Sequence, residues 1–81
     1  MKTREFRKLC NPKQFIIIEF EKKGKVISLD KNYGGNYIYA EDLVIMWKSE
    51  LLDSEIKSIS SRHLECGDSA IVLFVDYKEV K

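Results

Sequence analysis

His63 and Cys66, three positions apart in the 81-residue chain, are side chains of types that could do chemistry. A His-x-x-Cys spacing lets one turn offer an imidazole nitrogen and a thiolate to a single metal ion. A structural zinc site needs four such ligands, and Cys10 is the only other thiol. Cys10, His63, Cys66 and one carboxylate would make a set, yet a solvated loop histidine beside a half-buried cysteine accounts for the same residues more simply. As a nucleophile and base the pair lacks an orienting third group and an oxyanion hole. Glu41 and Asp42 adjoin in sequence, but successive helix positions point about 100° apart and do not form an acid–base pair. Neither Gly24 nor Gly34-Gly35 belongs to a phosphate-binding glycine pattern. The expectation is a non-enzymatic chain with no catalytic residue, no metal and no cofactor.

One loop carries a second metal-like pattern. From Asp30 to Glu41 an acidic residue stands at position 1, Asn32 at 3, Gly35 at 6 and Glu41 at 12. That spacing resembles the EF-hand loop, which implies six to eight oxygens folded around calcium. Position 5 is Gly34, which has no side-chain oxygen, and residues 25–29 before the loop read as a strand where an EF-hand has its incoming helix. A polar loop running into an acidic helical turn is expected instead.

Binding needs less machinery than catalysis. Lys22, Lys23 and Lys25 cluster at a hairpin tip, with Arg4, Arg7 and Lys8 elsewhere in the basic N-terminal third. Tyr33, Tyr37 and Tyr39 offer rings on which unpaired bases could stack. Residues 1–25 hold eight basic and three acidic side chains, residues 26–81 six and ten, so the net charge is only +1. That balance is far from the strongly basic character of most nucleic-acid-binding domains. Nucleic acid is therefore the alternative partner. The leading expectation is a protein partner or a second copy of the chain. Its contact surface would be the outer side of a helix over residues 40–52, formed by Ile45, Met46, Lys48 and Leu52, with Leu43, Val44, Trp47 and Leu51 turned to the core. An N-terminal segment carrying Phe6 and Leu9 is the competing cover for that surface.

The elements that position these residues follow from periodicity. Residues 14–21 (QFIIIEFE) form a strand, Phe15 and Ile17 on one face and Ile16, Ile18 and Phe20 on the other. Residues 25–29 are its hairpin partner, 37–39 a short strand, 55–60 a polar edge strand and 70–77 the most apolar strand. Asn11-Pro12 separates a short N-terminal arm or helical turn, residues 1–12, from the rest. The two most apolar strands come first and last, so they belong together at the centre of a sheet.

The run Leu64-Glu65-Cys66-Gly67-Asp68-Ser69-Ala70-Ile71-Val72 resembles the Leu-x-x-Gly-Asp entry into the last strand of small β-grasp domains of the sulfur-carrier and TGS type. The resemblance implies an α+β domain: a small mixed sheet in ββ(β)αββ order with one main helix on one face. Sulfur-carrier chemistry requires a C-terminal Gly-Gly, whereas this sequence reads Tyr77-Lys78-Glu79-Val80-Lys81 at its end, so the carrier function is not expected. One domain over residues 1–81 accommodates everything. The longest apolar run, six residues from Ala70, is too short to span a bilayer. The N-terminus lacks an apolar signal core, and two cysteines are no disulfide framework. A cytoplasmic setting without membrane contact is expected, with the pairing of Cys10 and Cys66 left open.

Overall fold

The computed structural model describes residues 1–78. Its first strand, β1 (Phe15–Lys22), is built from β-branched and aromatic residues. Ile16, Ile18 and Phe20 enter one apolar cluster, while Ile17 and Phe15 enter a second on the opposite face. Lys23 and Gly24 turn the chain into β2 (Lys25–Leu29), both with positive φ, 52° and 79°. Such a turn matches the twist of the two strands it joins, and of its two residues only Lys23 adopts that conformation against preference.

Two further strands, β3 (Ile56–His63) and β4 (Ser69–Val75), complete a sheet of order β2-β1-β4-β3. β1 and β4 run parallel at its centre, in register from Phe15↔Ala70 to Glu19↔Phe74, and both outer pairs are antiparallel. The expected adjacency of the two most apolar strands is observed. β3 runs past residue 60 to His63, because β4 begins at Ser69 and continues the ladder to that pair. Leu64 then turns inward beside Ile17, Ala70 and Val72. Its N–H donates to the Asp68 carbonyl at 2.8 Å, and Gly67 supplies the φ of 91° that this turn requires.

Helices cover one face only. The N-terminal helix, α1 (Thr3–Leu9), has Glu5 in its first turn and Arg7 and Lys8 in its last, both favourable to the helix dipole. The N-terminal residues are stitched to residues 53–56. The Ile56 N–H donates to the Met1 carbonyl (2.9 Å), the Thr3 N–H to the Ser54 carbonyl (3.2 Å), and Arg4 pairs with Asp53 at 2.9 Å. Phe6 packs on the main core; Leu9 is exposed.

The single helix expected over residues 40–52 is three pieces. A 3₁₀ turn (Ala40–Asp42) leads into α2 (Leu43–Met46), Trp47 and Lys48 are extended with ψ of 153° and 152°, and α3 (Ser49–Leu52) follows. Burial explains the break. In one continuous helix Leu52 would lie about 180° from Leu43. Two extended residues reset the phase, so Leu43, Leu51 and Leu52 all enter the core with Ile16, Ile18, Leu73 and Val75. Burying one leucine stabilises by about 2 kcal/mol, enough to offset the helical hydrogen bonds forgone.

Residues 37–39 make isolated bridges in place of a strand. Tyr39 pairs with Phe15 and Tyr37 with Lys31. The Ile38 carbonyl accepts from the Ile16 N–H at 3.0 Å, and the Ala40 N–H donates to the Gln14 carbonyl at 2.8 Å. This segment is pinned beside the start of β1.

Candidate functional site

Three surfaces carry the residues singled out from the sequence. The first is α2. Ile45 is 83% exposed and Val44, expected to face the core, is 42% exposed. Val44 turns outward because α2 is one turn long and its inward position is taken by Leu43. Met46 is half-buried against the core, and Lys48 is exposed in the extended break. Leu52 is a correction: at 1% exposure it is a core residue and not part of an outer face. Beside Ile45 lies a hollow of about 180 Å³, lined by Asn32, Ile38, Asp42, Ile45 and Met46. Ile38 and Met46 belong to the main core or pack against it, so the hollow gives a side chain from outside access to core atoms.

The second surface is the hairpin tip. Lys23 and Lys25 are exposed there, and Lys22 is half-buried. The third is built on Phe15, at the other end of β1. Tyr39 stacks on Phe15 with ring centroids 4.8 Å apart and Tyr37 tilts against it at 5.7 Å. Seven residues of strand separate Phe15 from Lys22, roughly 23 Å. The lysine tip and the tyrosines therefore do not form one site. Tyr33, 93% exposed in the Asn32–Asn36 turn, is not among the residues in ring contact with Phe15.

The tyrosines have cations of their own, which sequence reasoning missed. Lys13 Nζ lies 5.0 Å from the Tyr39 ring centre and Lys31 Nζ 5.2 Å from that of Tyr37. Glu41 hydrogen-bonds Lys13 at 2.6 Å and attracts it, which holds the ammonium above the ordinary lysine range. Two open hollows of about 440 and 460 Å³ flank this group and share Phe15, Tyr39 and Asp68. The available signal was the alternation Tyr37-Ile38-Tyr39, which matches a strand register against Phe15-Ile16 and brings Lys13 and Lys31 alongside.

The metal-like patterns resolve into local structure. Asn32 Oδ1, the position-3 oxygen of the calcium-like loop, accepts from the Gly34 N–H (2.9 Å) and the Asn36 N–H (3.0 Å). It holds the turn together, as asparagine does in many tight loops. His63 ends β3, Cys66 lies in the next turn with its sulfur 3.8 Å from Asp68, and Cys10 packs against the main core. Burial pushes the Cys10 thiol up, away from the thiolate that metals and electrophiles need. Both cysteines are free thiols. Among the described residues, no three His, Cys, Asp or Glu side chains converge on one point, and no helix is long and apolar enough to cross a membrane.

Compared with protein-family models, curated proteins and solved structures, the chain matches none of them.

Proposed function

We propose that this chain is a small non-enzymatic binding domain of β-grasp-like topology, and that it contacts a protein partner around Ile45. The parallel central pair β1–β4, flanked by β2 and β3, with helical segments on one face, supports the topology. The observation that carries the function is Ile45 itself, 83% exposed at the rim of a hollow reaching core atoms. A lone exposed isoleucine is ordinary. This one lines a hollow together with Ile38 and Met46, with the polar side chains of Asp42 and Asn32 beside them, which makes a small apolar spot with a polar rim. Such a spot suits one apolar side chain of a partner, with polar contacts around it.

Ile45→Glu tests the reading, because the side chain is solvated and its charge leaves folding intact. Crosslinking in the native cells, followed by mass spectrometry, should recover a partner with the native chain. That partner should be lost with Ile45→Glu at unchanged melting temperature. Identical partner sets for the two chains would overturn the proposal.

A second reading rests on Lys13 and Lys31 over the Tyr39 and Tyr37 rings. Aromatic faces with cations beside them suit single-stranded nucleic acid, bases on the rings and phosphates on the ammoniums. Here the binding centre is the aromatic group and not the hairpin tip. Salt-sensitive binding of a single-stranded oligonucleotide distinguishes it from the protein-binding reading.

A further inference from the structure

The two hollows beside the aromatic group differ in charge. That of about 440 Å³ has Lys13 on its wall. That of about 460 Å³ has no cation among its lining residues, which include the Phe15, Tyr37 and Tyr39 rings and the carboxylates of Asp42 and Asp68. Four segments of the chain meet there. Phe15 opens β1, and its bridge to Tyr39 sets the tyrosines beside it. Asp42 ends the 3₁₀ turn that follows Tyr39. Asp68 stands two residues before Ala70, the β4 partner of Phe15. Among the described residues neither carboxylate enters an ion pair, and Asp68 has only the weak contact with the Cys66 thiol at 3.8 Å. Two of the rings already draw ammoniums, Tyr39 that of Lys13 and Tyr37 that of Lys31. Ring faces and unpaired carboxylates lining one hollow attract an organic cation and repel a phosphate.

The source of the cation follows from the neighbouring surface. This hollow shares Asn32 and Asp42 with the one beside Ile45. We infer that the protein partner proposed for Ile45 presents an arginine close to its apolar anchor. The apolar side chain enters the hollow beside Ile45, and the guanidinium enters the aromatic, acidic one. The inference rests on the protein-binding reading and gives that partner its chemistry. Arginine suits the site better than lysine does. A planar guanidinium lies flat on a ring and still donates in its own plane to a carboxylate, whereas an ammonium is a compact, strongly hydrated charge. Asp42, common to both hollows, joins the two contacts.

The test is a titration of the isotopically labelled full chain, read by amide chemical shifts. The probes are Nα-acetyl-argininamide and its neutral analogue Nα-acetyl-citrullinamide, in which a urea replaces the guanidinium. The arginine compound should bind saturably in the millimolar range and move the amides of Tyr37 and Asp68. The citrulline compound should bind about tenfold more weakly, as should the arginine compound to Asp68→Asn, since each change removes one charge from a charge-assisted hydrogen bond. The Asp68 side chain is exposed, so this variant keeps the fold. Ile45→Ser should leave the titration unchanged. In cells, Asp68→Asn should lower recovery of the partner that Ile45→Glu loses, and the crosslinked partner segment should contain arginine. Three results overturn the inference and leave the Ile45 contact standing: equal binding of the two compounds, including none by either; arginine binding indifferent to Asp68→Asn; or a crosslinked segment without arginine. A single-stranded oligothymidylate that moves the same amides more than the arginine compound does, at equal concentration, overturns it in favour of nucleic acid. Identical partner sets for the native and Ile45→Glu chains overturn the Ile45 contact, and with it the source of the arginine.

Discussion

Glu19 stands mid-strand in β1, on the sheet face away from the helices, and one of its oxygens holds three strands together. Ser28 of β2 and Arg62 of β3 both hydrogen-bond Oε2, the arginine from beyond β4 at 2.8 Å. Burial pushes the carboxyl up, but the Ser28 and Arg62 hydrogen bonds and the Arg62 charge together hold it below the ordinary value of 4.5. A carboxyl lowered on folding contributes stability that is fully present above its ordinary value and is lost as pH falls through the lowered one. Native stability should therefore decline below about pH 4.5 more steeply than that of Glu19→Gln. At pH 7 Glu19→Gln should cost about 1 kcal/mol, the solvation of Arg62 keeping the figure at the low end for charged hydrogen bonds. Denaturant titrations of both chains at pH 7 and pH 3.5 measure it. An equal fall for the two would show that Glu19 is not the group responsible. None of this was legible in the sequence, where Glu19 and Arg62 lie 43 residues apart and only the register of three strands joins them.

At the scale of elements, strands were easier to read than helices, for a physical reason. A strand's period of two holds along its whole length, and QFIIIEFE assigned its faces correctly because nothing interrupts it. The 3.6-residue period over 40–52 holds only while the helix does. Two extended residues shift everything after them, which is why a continuous helix puts Leu52 outside; Val44, before the break, is exposed because the single turn of α2 turns Leu43 to the core. The break makes a prediction opposite in sign to that of a continuous helix. Lys48 has φ −64° and ψ 152°, Trp47 before it is extended, and Lys48 precedes the first residue of α3. Proline fits each of those conditions. Lys48→Pro should be neutral or stabilise by about 0.4–1 kcal/mol, through the unfolded chain. Inside a continuous helix the same change would cost about 3 kcal/mol. A shift in melting temperature decides between the two, and a large drop would mean that residues 47 and 48 are helical in solution.

Across the whole molecule, the sheet order separates residues that the sequence had grouped. Three lysines and three tyrosines between positions 22 and 39 looked like one basic, aromatic surface. β1 carries the chain from the aromatic group to the tip, and β2 and its loop carry it back, so the two lie at opposite ends of a strand. Short separation in sequence misled because a hairpin returns near its start only after a full strand length. The adjacency of β1 and β4 was legible from apolar content alone; the position of Lys13, set by a bridge 24 residues away, was not. The separation gives the nucleic-acid reading a test with a spatial answer. A single-stranded oligonucleotide should bind weakly, since Glu41, Asp42 and Asp68 lie near Lys13 and Lys31. Tyr39→Ala should weaken it roughly tenfold by removing one stacking face. Lys31→Glu should reduce the salt slope by about one. Reversing Lys22 and Lys23 should alter affinity only through long-range attraction, an effect that fades beyond about 8 Å at physiological salt. Fluorescence anisotropy at low and physiological salt measures all three. Loss of binding in the Lys22/Lys23 variant alone would return the site to the tip, and absence of salt-sensitive binding by the native chain would leave a protein as the one partner proposed.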